Sequence, residues 1–211
     1  GGEAPNFAVY TKRGIAPHTH QLQNRLNTRF AFALSNSGSF EGGFGGPQMA
    51  QELGLPFLSD PYSTDPDEVR HVAAQTIGIR FSDFLNLCSF TSGMYLGPQV
   101  EAVNVATGWD MTIEEAHAAG QRSVHLLRAF DIRHGLVPED EWPSPRMMEP
   151  AVDGPLAGKA DISPQEWERA LRDYYEEMGW DRQTGKPLPE TLRRYGLEFA
   201  VRDIWEPQPA R

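Results

Sequence analysis

Residues 83 to 88 read Asp-Phe-Leu-Asn-Leu-Cys, and Cys88 is the only cysteine in the chain. A lone thiol has three ordinary uses. It packs as a small apolar group, it attacks as a thiolate raised by a neighbouring base, or it is one ligand of a metal centre completed elsewhere. No base stands close in sequence, and Leu85 and Leu87 flank the position, so the local stretch by itself reads as a core thiol. One cysteine makes no internal disulfide, which fits a reducing, cytoplasmic setting.

Other residues capable of chemistry are sparser. His18 and His20 have the i, i+2 spacing of ligands on a strand, but no third ligand follows at a metal-site interval, so a solvated loop is the expectation. His71, His117, His125 and His134 fall in helical patterns and read as ordinary surface or hydrogen-bonded histidines. No HExxH, G-x-S-x-G, P-loop or dinucleotide fingerprint occurs. Residues 35–47, SNSGSFEGGFGGP, hold five glycines in thirteen positions. Two readings of that stretch stay open: a flexible surface loop, or backbone that approaches a ligand with no Cβ in the way.

Several helices must position these groups. Asp65, Pro66 and Glu68 offer an N-cap, a first-turn proline and a capping box, and an apolar face follows as far as Gly78, where an interruption is expected. A second apolar stretch then leads into Cys88. Thr112 to Glu115 opens a helix that runs to about Arg133. Ser163 to Glu166 opens another, with Trp167, Ala170, Leu171 and Tyr174 on one face and Gly179 as its stop. A short helix is expected from Pro189 to just before Gly196. The proline-rich residues 137–155 read as an extended surface connection, and residues 7–11, FAVYT, are the best strand candidate. The class is mainly α.

The chain has 211 residues, a net charge of −10, 39% apolar residues, 20 glycines and 17 prolines. That length suits one domain, and the acidity argues against nucleic acid or a phospholipid surface as partner. No apolar run approaches the roughly 18 residues of a membrane span. The N-terminus, GGEAPNFAVY, carries neither the basic nor the apolar region of a signal peptide and no initiating Met. It reads as a processed product or a fragment.

Read together, DPYSTDPDEVRHVAAQTIGIRFSDFLNLCSFTS, VNVATGWDMTIEEAHAAGQRSVHLLRAFDIRHG and DYYEEMGWDRQTGKPLPETLRRYGL resemble the C-terminal helical domain of the tungsten-containing aldehyde:ferredoxin oxidoreductases. A D-x-x-G-L-C-type stretch, a TGWD-x-T-x-EE helix start, L-x-RAF-x-x-R-x-G and a YY…GWD…G-x-P…L…GL tail occur in the family's order. The resemblance implies a single irregular multi-helical domain over residues 1–211 with a loop-rich N-terminal part. It also implies tungsten or molybdenum held by two pterins, beside a 4Fe–4S cluster. The activity implied is oxidation of a small aldehyde to its acid, with electrons passed to a ferredoxin-type acceptor.

Carried onto this sequence, Asp83 would accept hydrogen bonds from a pterin and Leu87 would touch it. Cys88 would be the cluster thiolate, with Ser89 beside it. Ser37 and Gly38 would line the cofactor from the glycine-rich loop. Glu41 stands where the family holds a histidine near the metal; buried and with a raised pKa, it would handle protons. Two departures stand out. Asn86 replaces the family's Gly, a change that left-handed backbone tolerates, and Ser37 replaces an arginine.

The N-terminal and middle domains of the family, with their C-x-x-C-x-x-x-C run, are not in this sequence. One thiolate does not hold a cluster, so the chain is expected to be inactive alone, as a fragment or a split-enzyme subunit. The competing expectation is a non-catalytic helical interaction module that has lost cofactor binding.

Overall fold

A computed structural model describes residues 2–8, 29–30, 33–34, 47–57, 63–88, 95–150, 152–154, 157–158 and 162–206. Its helices are α1 (Ala4–Phe7), α2 (Pro47–Glu52), α3 (Pro66–Phe84), α4 (Gly97–Thr107), α5 (Ile113–Arg133), α6 (Pro145–Met148), α7 (Pro164–Glu177), α8 (Pro189–Arg194) and α9 (Glu198–Trp205), with a 3-10 turn at Pro138–Glu141. The architecture is mainly α, as expected, and no strand occurs among the described residues. Phe7, the first residue of the expected strand, instead closes α1; residues 9–11 lie outside the described residues.

The helix starts follow local chemistry closely. At α5 the Thr112 hydroxyl accepts the Glu115 N–H at 3.2 Å, and the Glu115 carboxylate accepts the Thr112 N–H at 2.9 Å. Ser163 and Glu166 repeat that reciprocal arrangement at α7. The expected box at α3 does not form. Ser63 Oγ takes the Asp65 N–H at 3.0 Å, and Glu68 is buried and engaged elsewhere.

Helix α3 also runs unbroken through Gly78. The glycine is there for packing: a Cβ would lie 2.8 Å from Met49 Sδ of α2. On another face α3 meets α5, where a Cβ on Gly120 would lie 2.3 Å from the Ile77 carbonyl oxygen. One turn earlier the His117 ring donates to the Ala74 carbonyl.

Three apolar clusters fill the interior. The largest joins Val69, Val72 and Ile77 of α3 to Val124 of α5 and to Trp167, Leu171 and Tyr174 of α7. Phe30 stacks on Trp167 with ring centroids 4.8 Å apart. A second cluster, of Met49, Phe81, Leu96, Val100 and Ala116, closes the α2–α3–α4–α5 corner, and a third seats α8 and α9 on α5.

The proline-rich segment runs largely over the surface, as expected, but dips into the core at Glu141, Pro143 and Ser144. Its Glu141 is fully buried and forms a bidentate pair with the equally buried Arg128 of α5, one arm at 2.9 Å. Arg128 Nε donates to the Gly185 carbonyl at 2.8 Å, and its guanidinium lies 4.4 Å from the centre of the Trp180 ring. Burial pushes the Tyr175 hydroxyl pKa up, so it stays protonated and donates to Glu141. Nearby, Trp180 Nε1 donates to His125 Nδ1 at 3.0 Å. His71 and His125 are therefore core residues rather than surface ones.

Removing one member of the buried pair leaves the other charged and dry. Arg128→Met or Glu141→Leu alone should cost about 3–5 kcal/mol of unfolding free energy, while the double variant should cost less than either; urea denaturation of the three chains checks this. Burial also pushes His125 down to about 4 from an ordinary 6.5, and His117 likewise to about 4. Between those values the unfolded chain binds the extra proton, so stability should fall as pH drops from 6.5 towards 4. His125→Asn, which keeps an acceptor for Trp180, should remove up to roughly 3 kcal/mol of that pH dependence, read from melting curves at pH 7 and pH 4.5.

Candidate functional site

Asp83, Leu87 and Cys88 sit together where α3 ends. The helix closes in a Schellman arrangement: the Leu87 N–H reaches back to the Ser82 carbonyl at 3.1 Å, and the Asn86 N–H to the Asp83 carbonyl at 3.0 Å. This closure requires a left-handed residue, and Asn86 supplies it with φ of 54°. Asn86 is the only non-glycine with positive φ among the described residues.

The turn faces outward. Cys88 is exposed and outside any disulfide, which overturns the local expectation of a core thiol. The closure explains why: the chain leaves the helix axis at Asn86, and Leu87 and Cys88 follow it away from the cluster into which Leu85 packs. Phe84, Leu87 and Tyr95 are exposed as well, at 52%, 39% and 48%. Arg80 Nη1 donates to Asp83 Oδ2 at 2.8 Å, which fixes the carboxylate at the rim of the turn.

Ser89, Ser37, Gly38 and Glu41 lie outside the described residues, as do His18 and His20. Among the described residues no group of three or more His, Cys, Asp or Glu side chains could hold a metal ion. The donor set here is one accessible thiol and one carboxylate on a single turn. That set fits one ligand position of a thiolate-bound cluster and one acceptor for a ring N–H.

The fold and this turn define a helical domain that presents a carboxylate and a thiol at the outward end of its central helix. The chain belongs to the aldehyde ferredoxin oxidoreductase family: the family model described as aldehyde ferredoxin oxidoreductase, domains 2 and 3, matches residues 1–197. Tungsten-containing aldehyde ferredoxin oxidoreductases of Pyrococcus abyssi and Pyrococcus horikoshii are each 30% identical to it over 149 residues, covering 69% of this chain and 24% of theirs. The Pyrococcus furiosus enzyme of the same description is 29% identical over 148 residues. The chain thus spans about a quarter of the length of these relatives. Among solved structures, the active-site complex BamBC of benzoyl coenzyme A reductase, in complex with 1,5-dienoyl-CoA, shares the fold. Its TM-score is 0.59 at 18% identity, covering 84% of this chain and 31% of that one. No helix among the described residues is long and apolar enough to cross a membrane.

If the left-handed turn is what Asn86 contributes, Asn86→Gly should leave the melting temperature unchanged or raise it. Asn86→Val should cost about 1–2 kcal/mol, since a branched Cβ opposes that conformation. Thermal denaturation of both variants distinguishes them.

Proposed function

We propose that this chain is the C-terminal helical part of an oxidoreductase that converts small aldehydes to carboxylic acids, completed by domains that lie outside this sequence. The observation that carries the reading is the outward Schellman turn, which offers Asp83, Leu87 and Cys88 together from the end of α3. Asp83 would accept a pterin N–H, with Arg80 holding Oδ2. Leu87 would lie against the pterin. Cys88 would be one thiolate of a 4Fe–4S cluster whose remaining thiolates come from the missing domains. Bound there, tungsten or molybdenum in two pterins would supply two-electron oxidation chemistry, and a cluster held in part by Cys88 would supply a path for electrons to a ferredoxin-type acceptor. Phe84, Leu87 and Tyr95, exposed around the turn, suit a surface that those domains cover.

Ser37, Gly38 and Ser89 are proposed to line the cofactor and Glu41 to handle the proton, on the strength of the family resemblance. The acidic balance, with a net charge of −10, supports a reading without nucleic acid as partner.

A second reading keeps one specific observation in its favour. The Arg80–Asp83 ion pair already engages the carboxylate, as in a helical interaction module that no longer binds cofactor.

Metal analysis of the chain purified together with the polypeptide that supplies the other domains tests the choice. About four irons and one tungsten or molybdenum per complex are expected, with iron lost in Cys88→Ser while the chain's helical content is kept. A complex free of both metals, or an iron content indifferent to Cys88→Ser, supports the interaction module.

A further inference from the structure

The end of α3 is tied to the start of α4 by two buried side chains that the proposed chemistry leaves without a role. Ser82 is fully buried and its Oγ donates to Gln99 Oε1 at 2.9 Å. Gln99, 3% exposed, donates from Nε2 to the Tyr95 carbonyl at 2.9 Å. The Ser82 carbonyl in turn accepts the N–H groups of both Leu85 and Leu87 at 3.1 Å. One serine therefore holds the turn from its backbone and the neighbouring helix from its side chain. The receiving end is fixed as well: the Glu52 carboxylate of α2 accepts the N–H groups of Leu96 and Gly97 at 2.6 and 3.0 Å.

A buried hydroxyl–amide pair adds little to net stability, because both groups leave water to make it. An apolar pair of the same shape would join the helices equally well. What the polar pair adds is direction, since each bond tolerates only a narrow range of angles. Here that direction is imposed at the residue whose carbonyl closes the Schellman turn, six positions before the exposed thiol. Phe81 and Leu85, on either side of Ser82 in sequence, pack against Met49, Leu96 and Val100 and already give the corner its cohesion.

We propose that Ser82 and Gln99 are positioning residues for Cys88, setting the direction in which the turn presents its thiol to the rest of the assembly. The proposal rests on the reading of Cys88 as a metal thiolate. Neither residue touches the cofactor; both act through the turn.

The test is hydrogen exchange at the Leu87 amide, measured against the Val124 amide in the core of α5, in Ser82→Ala, Gln99→Met and Ser82→Thr chains. Exchange at Leu87 relative to Val124 should rise about fivefold in the first two, the effect of one lost hydrogen bond, and return towards wild type in Ser82→Thr, which keeps the hydroxyl. In the metal-loaded complex the same two variants should retain iron while the EPR spectrum and reduction potential of the reduced cluster shift. An unchanged Leu87-to-Val124 ratio in both variants overturns the proposal, as does a cluster spectrum and potential identical to wild type. Failure of the underlying reading looks different: the complex would then hold neither metal, or Cys88→Ser would keep all its iron, whatever the exchange ratios show.

Discussion

The Arg128–Glu141 pair is the constraint on which the remaining packing depends. Both side chains are fully buried, so each is tolerable only because the other is there. Around it converge four separate stretches of chain: α5, the proline-rich connection, α7 with the following Trp180, and the loop at Gly185. The loop must be glycine at 185, where φ is 64° and a Cβ would lie 2.2 Å from Arg128 Nη2. The guanidinium satisfies its donors on carboxylate and carbonyl, and its faces lie against Trp180 and Tyr175, an arrangement open to a planar cation and not to an ammonium.

With α5 and α7 fixed in this way, α3 is held between them as the spine of the domain. Its contact with α5 is close enough to require glycine at 120, and its contact with α2 is close at Gly78. A helix held on several faces ends at a defined point and in a defined direction. The turn that bears Asp83 and Cys88 is the end of this helix. The geometry of the candidate site is thus set by packing well away from it, and by a residue, Arg128, that has no part in the proposed chemistry.

Much of this was legible in the sequence, and the reasons for the rest are specific. Reciprocal caps at Thr112 and Ser163 are local, so α5 and α7 could be read directly. Asp65 and Pro66 open α3 as read, but the box with Glu68 does not form: Ser63 takes the same N–H, a contest sequence spacing does not decide. Helix α4 is marked at both limits, by Pro98 in its first turn and the left-handed Gly108 at its end, yet its apolar pattern does not announce it. The apolar pattern between them is weak because most of the helix is exposed. Glu141 sits in an acidic, proline-rich run and looked solvated; only its partner thirteen residues earlier makes burial tolerable. At the candidate site, the motif placed Asp83, Leu87 and Cys88 on one turn and anticipated left-handed backbone at Asn86. Cys88 looked buried from its leucine neighbours because nothing in their spacing reveals that the helix closes before them.

The Glu52 carboxylate has a consequence for how the domain assembles. Helix α4 has no capping side chain of its own, and the N–H groups of its N-cap Leu96 and first residue Gly97 are met by a residue more than forty positions earlier. Its start is therefore written into the chain at a distance, and loop closure must precede it. In folding, α4 should lag behind the locally capped α5 and α7, gaining its first turn only once α2 has docked. Any shortened version of this domain that begins after Glu52 would carry a frayed α4, and with it an unsupported Gln99, however complete the three long helices remained.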